Sequence, residues 1–149
     1  MPYSDLNRGR FSSRNQICSI TTVTRNRVPV FSDFSTARLL VADLRRLHDT
    51  SQVRSLAWVV MPDHLHWLFQ LVGERSLSRV IADLKGRTSR HIGARLGRRG
   101  GIWQRAYYDR GVRSEEDIRG IANYIVANPL RAGLVERVGD YPHWDCVRL

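Results

Sequence analysis

Long apolar runs are missing from this 149-residue chain. No segment approaches the roughly 20 consecutive apolar residues that a membrane-crossing helix requires, and the polar, arginine-containing start has no signal-peptide core. Cysteine is equally scarce. Cys18 and Cys146 stand far apart, so no Cys-x-x-Cys pair can seed a zinc knuckle or a redox motif, and a disulfide framework is not expected. Lysine is nearly absent: Lys85 is the one lysine among 24 basic residues. Acidic residues number only 14, which leaves a formal net charge of +10. That excess points to a polyanionic partner, and nucleic acid fits because counterion release from phosphates drives such binding. Arginine's planar fork suits phosphates and base edges, but a compositional bias explains the arginine-to-lysine ratio equally well. The sign of the charge therefore carries the inference. The expectation is a cytoplasmic protein with no membrane partner.

The length fits a single domain over residues 1–149 that can bury its own core. Residues 1–15 carry Arg8, Arg10 and Arg14 among small polar residues, too few apolar groups for core. They read either as a tail or as a basic arm that orders on nucleic acid. Ile17 to Thr24 is β-branched and predicts a strand. From Phe34 to His48, the residues Phe34, Ala37, Leu40, Val41, Leu44 and Leu47 follow helical spacing, with Arg38, Arg45 and Arg46 largely outside.

Two apolar runs follow, Ser55 to Met61 and His64 to Val72, separated by Pro62-Asp63, and these predict an antiparallel hairpin. Ser76 can cap a second helix with a core stripe of Leu77, Val80, Ile81, Leu84 and Ile92 and with Arg79, Arg87 and Arg90 opposite. Gly93 to Gly101 reads as a glycine-rich basic loop. Ile102 to Arg110 reads as a fourth strand, and a third helix starts near Ser114, with core positions Ile118, Ile121, Ala122 and Ile125. Pro129 should end that helix at Asn128. Residues 130–149 form a tail without a clear period. The order predicts an α+β fold: a ferredoxin-like split βαβ arrangement with a four-stranded antiparallel sheet, two packed helices and an added C-terminal helix. No internal repeat is present.

Side chains on a strand alternate faces, so His64 and His66 point the same way while Leu65 and Trp67 point the other. Two imidazoles on one face can grip a metal. Taken alone, a His-x-His pair is more simply read as one or both histidines hydrogen-bonded at a strand end. In the third helix Tyr124 and Asn128 are four apart and share one flank, with Gly120 a turn earlier. A hydroxyl and an amide oxygen would project together there, although a packing tyrosine and a helix-terminating asparagine are the plainer readings of each residue alone. Tyr107 and Tyr108, in the predicted fourth strand, lack an amide one turn away.

Several segments carry a resemblance. His64-Leu65-His66 is similar to the His-hydrophobic-His motif of HUH single-tyrosine transposases, and the stretch from Tyr124 through Asn128-Pro-Leu-Arg-Ala-Gly-Leu to Val135 resembles the tyrosine helix of REP-associated tyrosine transposases. MPDHLHW, IWQRAYYDR and the Gly9-Arg10-Phe11-Ser12 element resemble the same family, in the same order along nearly the whole chain. Cys18 departs from the aromatic residue expected in the first strand.

The resemblance implies a Tyr124 nucleophile and a divalent cation, Mg²⁺ or Mn²⁺, held by His64, His66 and Asn128. It also implies single-stranded or hairpin DNA as substrate, with a 5′-phosphotyrosyl intermediate. Gly9, Arg10 and Ser12 are implied in reading DNA, and Arg25, Lys85, Arg87, Arg90 and Arg105 are candidates to hold its backbone. The protein would act as a monomer or a homodimer. Two other readings stay open: a non-catalytic nucleic-acid-binding module with Trp58, Trp67 or Tyr107 as stacking platforms, and a rolling-circle or relaxase-type nicking enzyme.

Overall fold

The computed structural model of the chain describes residues 14–97 and 99–148. The Gly9, Arg10 and Ser12 assignments lie outside the described residues. Strand β1 (Ile17–Val23) leads through a short turn region to helix α1 (Phe34–Asp49), then to the hairpin of β2 (Val53–Met61) and β3 (His64–Leu71). Helix α2 (Leu77–Leu96), strand β4 (Tyr108–Val112), helix α3 (Glu115–Val126), a short helix α4 (Asn128–Arg131) and strand β5 (Trp144–Cys146) complete the order. The sheet runs β4-β1-β3-β2-β5, and each neighbouring pair is antiparallel.

The predicted sheet of four strands is thus corrected to five. Trp144–Cys146 adds itself to β2, pairing Ala57 with Cys146 and Val59 with Trp144. The Tyr141 hydroxyl donates to the Val60 carbonyl beside it. The last predicted strand also moves, from Ile102–Arg110 to Tyr108–Val112. Ile102 and Trp103 are instead buried side chains of the preceding segment, held where Trp103 bridges Thr24 and its indole N–H donates to the Thr88 hydroxyl at 2.9 Å.

Helix α2 runs to Leu96, longer than the glycine-rich composition suggested. Gly93 is buried within it, and Gly97, in the left-handed conformation at φ 66°, closes it. Asp33 caps α1 by accepting from the Ser35 amide, which leaves Phe34 at the first turn 60% exposed and outside the core it was assigned to. Helix α3 ends at Val126. Asn128 then opens α4, whose first turn accommodates Pro129 because no intrahelical donor is required there.

The sheet separates two cores. On one face α1 and α2 cover Ile20, Trp58, Val60, Leu65, Trp67 and Phe69. On the other, α3 packs Ala122 and Ile125 against Leu56, Val59, Met61 and Leu68. A helix is about 10 Å across and strands lie about 4.8 Å apart, so one helix covers roughly two strands of the five. Helix α3 lies chiefly on β2 and also touches β3 and β5. At one end of β1 and β4, Ile17 and Val112 still join this second core, but the flank over Ser19 and Thr21 of β1 and Tyr108 and Arg110 of β4 remains open.

A candidate active site between the sheet and the third helix

Alternation along β3 works as the sequence requires: Leu65, Trp67 and Phe69 are wholly buried towards α1 and α2, which turns His64 and His66 towards α3. Register then assembles a row across all five strands. Tyr108 pairs with Thr21, Thr21 with His66, His66 with Val59 and Val59 with Trp144. Directly paired residues project to the same face. A bulge between Ser55 and Ala57 sets the phase of β2 so that Val59 and Met61, not their neighbours, stand opposite the histidines.

The two imidazoles meet edge to face with centroids 4.8 Å apart, and the Tyr124 ring stands 6.2 Å from that of His66, nearly perpendicular to it. Tyr124 and the two histidines thus come together within one chain.

Each histidine is oriented through Nδ1. His64 Nδ1 lies 2.6 Å from Asp63 Oδ1, and since a carboxylate only accepts, the nitrogen carries the hydrogen. In the neutral ring Nε2 is then a lone pair. Asp63 is itself held well: its backbone carbonyl accepts from Thr24, and its carboxylate pairs with Arg27 at 3.2 Å. Burial raises that carboxylate, but the hydrogen bond from His64 and the Arg27 guanidinium outweigh it and hold it below its ordinary range. His66 Nδ1 sits 2.8 Å from Thr21 Oγ1, and the tautomer that donates to the hydroxyl leaves Nε2 with its lone pair. Burial first, then the nearby charges of His64 and Arg131, push His66 down to about 4, so its ring is neutral near pH 7.

Partners that anchor one ring nitrogen and free the other are the outer-shell arrangement of metal-binding histidines. Among the described residues no group of three or more His, Cys, Asp and Glu is arranged for a metal, so a third protein ligand would have to be of another kind. Asn128 is the candidate. Its side-chain Nδ2 is buried without a partner among the described residues. A substrate oxygen would accept from it; with the amide turned over, Oδ1 takes the same place and can meet a cation. The donors present fit an oxygen-and-imidazole site for a divalent ion.

Arg131 is a site residue that sequence reasoning missed. Its guanidinium carbon lies 3.8 Å from the Tyr124 ring centroid, and Nη2 donates to the Tyr124 carbonyl at 2.6 Å. The break at Ala127 followed by α4 brings it back over the ring. The only sequence signal was its place in the Asn128-to-Val135 stretch.

The candidate DNA contacts divide by environment. Arg25, Arg90 and Arg105 are exposed. Arg90 and Arg99 border a cleft beside Gly100, and a Cβ at Gly101 would lie 3.7 Å from Arg25 Nη2, so three guanidinium groups surround this glycine-rich turn. Lys85, by contrast, donates to the carbonyls of Gln104, Arg105 and Ala106 at 2.8, 3.4 and 3.2 Å, and burial pushes its ammonium down to about 8. In this position it straps the segment before β4 to α2. Arg87 lies 3.5 Å from buried Asp43, between α1 and α2. Of the suggested stacking platforms, Trp58 and Trp67 are core and Tyr107 packs against it.

A sheet that presents two Nδ1-anchored imidazoles to a helix-borne tyrosine, on a strongly basic chain, defines a candidate phosphoryl-transfer site of the single-tyrosine kind. The chain belongs to the IS200-like transposase family, whose signature matches residues 12–128. It is 31% identical over 97 residues to the REP-associated tyrosine transposase of Escherichia coli (strain K12), covering 62% of this chain and 56% of that one. A relative from Haemophilus influenzae is 31% identical over 99 residues. The chain spans about half the length of these curated relatives. Its fold is similar to that of a REP-associated tyrosine transposase solved bound to a REP hairpin, with a TM-score of 0.75 at 24% identity, covering 91% of this chain and 79% of that one. Among the described residues no helix is long and apolar enough to cross a membrane.

Proposed function

We propose that this chain cleaves and rejoins single-stranded DNA through Tyr124, on strands that carry a hairpin of repeat DNA. The reading is carried by the approach of the Tyr124 ring to His66, with His64 beside it, on the sheet face that α3 packs against. Tyr124 Oη attacks the scissile phosphorus and gives up its proton; the P–O3′ bond breaks, and the departing 3′ oxygen takes up a proton. A 5′-phosphotyrosyl link and a free 3′-hydroxyl result, and attack by another 3′-hydroxyl reverses the step. The bond energy is retained, so no nucleotide cofactor is required. His64, His66 and the Asn128 oxygen would hold Mg²⁺ or Mn²⁺, which when bound supplies neutralisation of charge on the phosphate. Asp63 and Thr21 keep the imidazoles aimed. Arg25, Arg90 and Arg105 are placed to meet backbone phosphates outside the site.

Incubating the chain with labelled hairpin oligonucleotides and either ion, then denaturing, should leave a covalent protein–DNA adduct. His64→Ala should lower the adduct at least about 100-fold at fixed ion concentration, a size typical of losing a group that acts on transition-state charge. Full activity of that variant, or of the wild type after chelation, would remove the cation from the mechanism. Arg131→Ala should slow adduct formation about tenfold at saturating DNA, because the Tyr124 ring loses a cation–π and hydrogen-bond clamp. A change in DNA affinity with an unaltered saturated rate would instead make Arg131 a simple binding residue.

A further inference from the structure

The open flank over Ser19 and Thr21 of β1 and Tyr108 and Arg110 of β4 is a cavity of about 510 Å³ that opens beside Tyr124. Its floor is two rungs of the sheet, Tyr108–Thr21–His66 and Arg110–Ser19, and its roof is one side of α3, with Glu116, Asp117, Gly120 and Tyr124. The phosphate chemistry assigned to Tyr124 and the histidines occupies one end of this space. We infer that the remainder is a nucleobase pocket, which takes the base flanking the scissile phosphate and selects one that bears an exocyclic amino group. The inference rests on the reaction proposed for Tyr124.

Three properties of the cavity favour a base over any other part of a DNA strand. The volume falls within the roughly 300–1,000 Å³ range of small-molecule sites. Tyr108 is 63% exposed and stands at the rim in register with Thr21, where an aromatic ring can stack on a base. The electrostatics are reversed from the rest of the molecule. On a chain of net charge +10, the roof presents two carboxylates, Glu116 and Asp117, against one guanidinium, Arg110, and neither acid has an ion-pair partner among the described residues.

A second backbone phosphate would be repelled there. A neutral ring with amino hydrogens would be accepted, because carboxylates only accept and guanine, adenine and cytosine each offer an amino donor while thymine offers none. Ser19 and Thr21 add hydroxyls to the floor. A Cβ placed on Gly120 would meet nothing within 4 Å, so the roof is open above that residue, and its lack of a side chain adds to the space for the base.

The test uses a pool of hairpin-bearing single strands with randomised bases in the unpaired flank. Adducts formed by the wild-type chain are sequenced; in parallel, the Tyr124→Phe chain selects from the same pool by binding alone. One flanking position should be enriched about tenfold or more for amino-bearing bases over thymine, the scale of one good base contact. The Glu116→Ala/Asp117→Ala double variant, which removes both acceptors, should lose that ranking, a change that mere loss of stability would not cause. Gly120→Leu should cut capture of the preferred strands about tenfold by filling the cavity. It should fold at least as well as the wild type, since leucine is the better helix former and its Cβ meets nothing within 4 Å.

Thymine equal or preferred in both arms would overturn the pocket, as would a ranking unchanged in the double variant. An adduct without base preference leaves the tyrosine chemistry standing and the pocket refuted. A preference in the binding arm without any adduct does the reverse. If neither appears, both fall.

Discussion

Replacing Tyr124 with phenylalanine is expected to abolish the denaturation-resistant adduct altogether while leaving DNA binding within about twofold. The substitution removes one hydroxyl and keeps the ring. The contact with His66 and the stacked Arg131 guanidinium can both persist, and the Arg131 bond runs to the Tyr124 backbone carbonyl. Tyr124 is 55% exposed, so stability should change by no more than about 0.5 kcal/mol. Thermal melting and gel-shift affinity serve as the controls, and adduct yield is the readout. Tyr108 lines the same cavity and is the natural rival. A residual adduct in the Tyr124→Phe protein that disappears on adding Tyr108→Phe would reassign the nucleophile.

Trp67→Ala should be the most damaging single change to the fold, costing about 3–5 kcal/mol. Trp67 is wholly buried, its ring lies 3.9 Å from that of Phe69 centroid to centroid, and its indole N–H donates to the Ser55 hydroxyl at 2.9 Å. Alanine leaves a large cavity and strips that hydroxyl of its donor. Because most small domains are stable by only 5–15 kcal/mol, a shift of this size brings unfolding within reach of mild urea. The transition midpoint measures it. Trp67→Phe should recover more than half of the loss by refilling volume without restoring the hydrogen bond. The active face should suffer as well, since Trp67 is the neighbour of His66 on the opposite side of the same strand. An unfolding free energy within about 1 kcal/mol of the wild type, taken from that midpoint, would contradict this account of the core.

What could be read beforehand followed from local rules. Alternation put His64 and His66 on one face, and 3.6-residue spacing placed the buried stripes of α1 and α2. The misses share a long-range cause. Trp144–Cys146 is three residues with no period of its own, and only the waiting edge of β2 makes it a strand. Gly93 reads as a loop residue by composition, yet burial beside Ile92 keeps it helical until Gly97 offers a left-handed exit. Arg131 reaches Tyr124 because the chain breaks and restarts at Ala127, a geometry that no spacing rule along one continuous helix describes. Lys85 shows the same limit from another side: a cation in a basic chain suggests DNA, and only the fold reveals that three carbonyls of a distant segment surround its ammonium.

The cross-strand row through Tyr108, Thr21, His66, Val59 and Trp144 also bears on how such a chain can change length. Losing one residue from β3 would keep a strand but rotate both imidazoles into the space filled by Leu65 and Trp67, so the site and the core would fail together. Losing one from the glycine-rich turn between α2 and Ile102 shortens a tether and leaves every rung in phase. Insertions and deletions that preserve function are therefore confined to the connections, and within the sheet the chain can vary by substitution only.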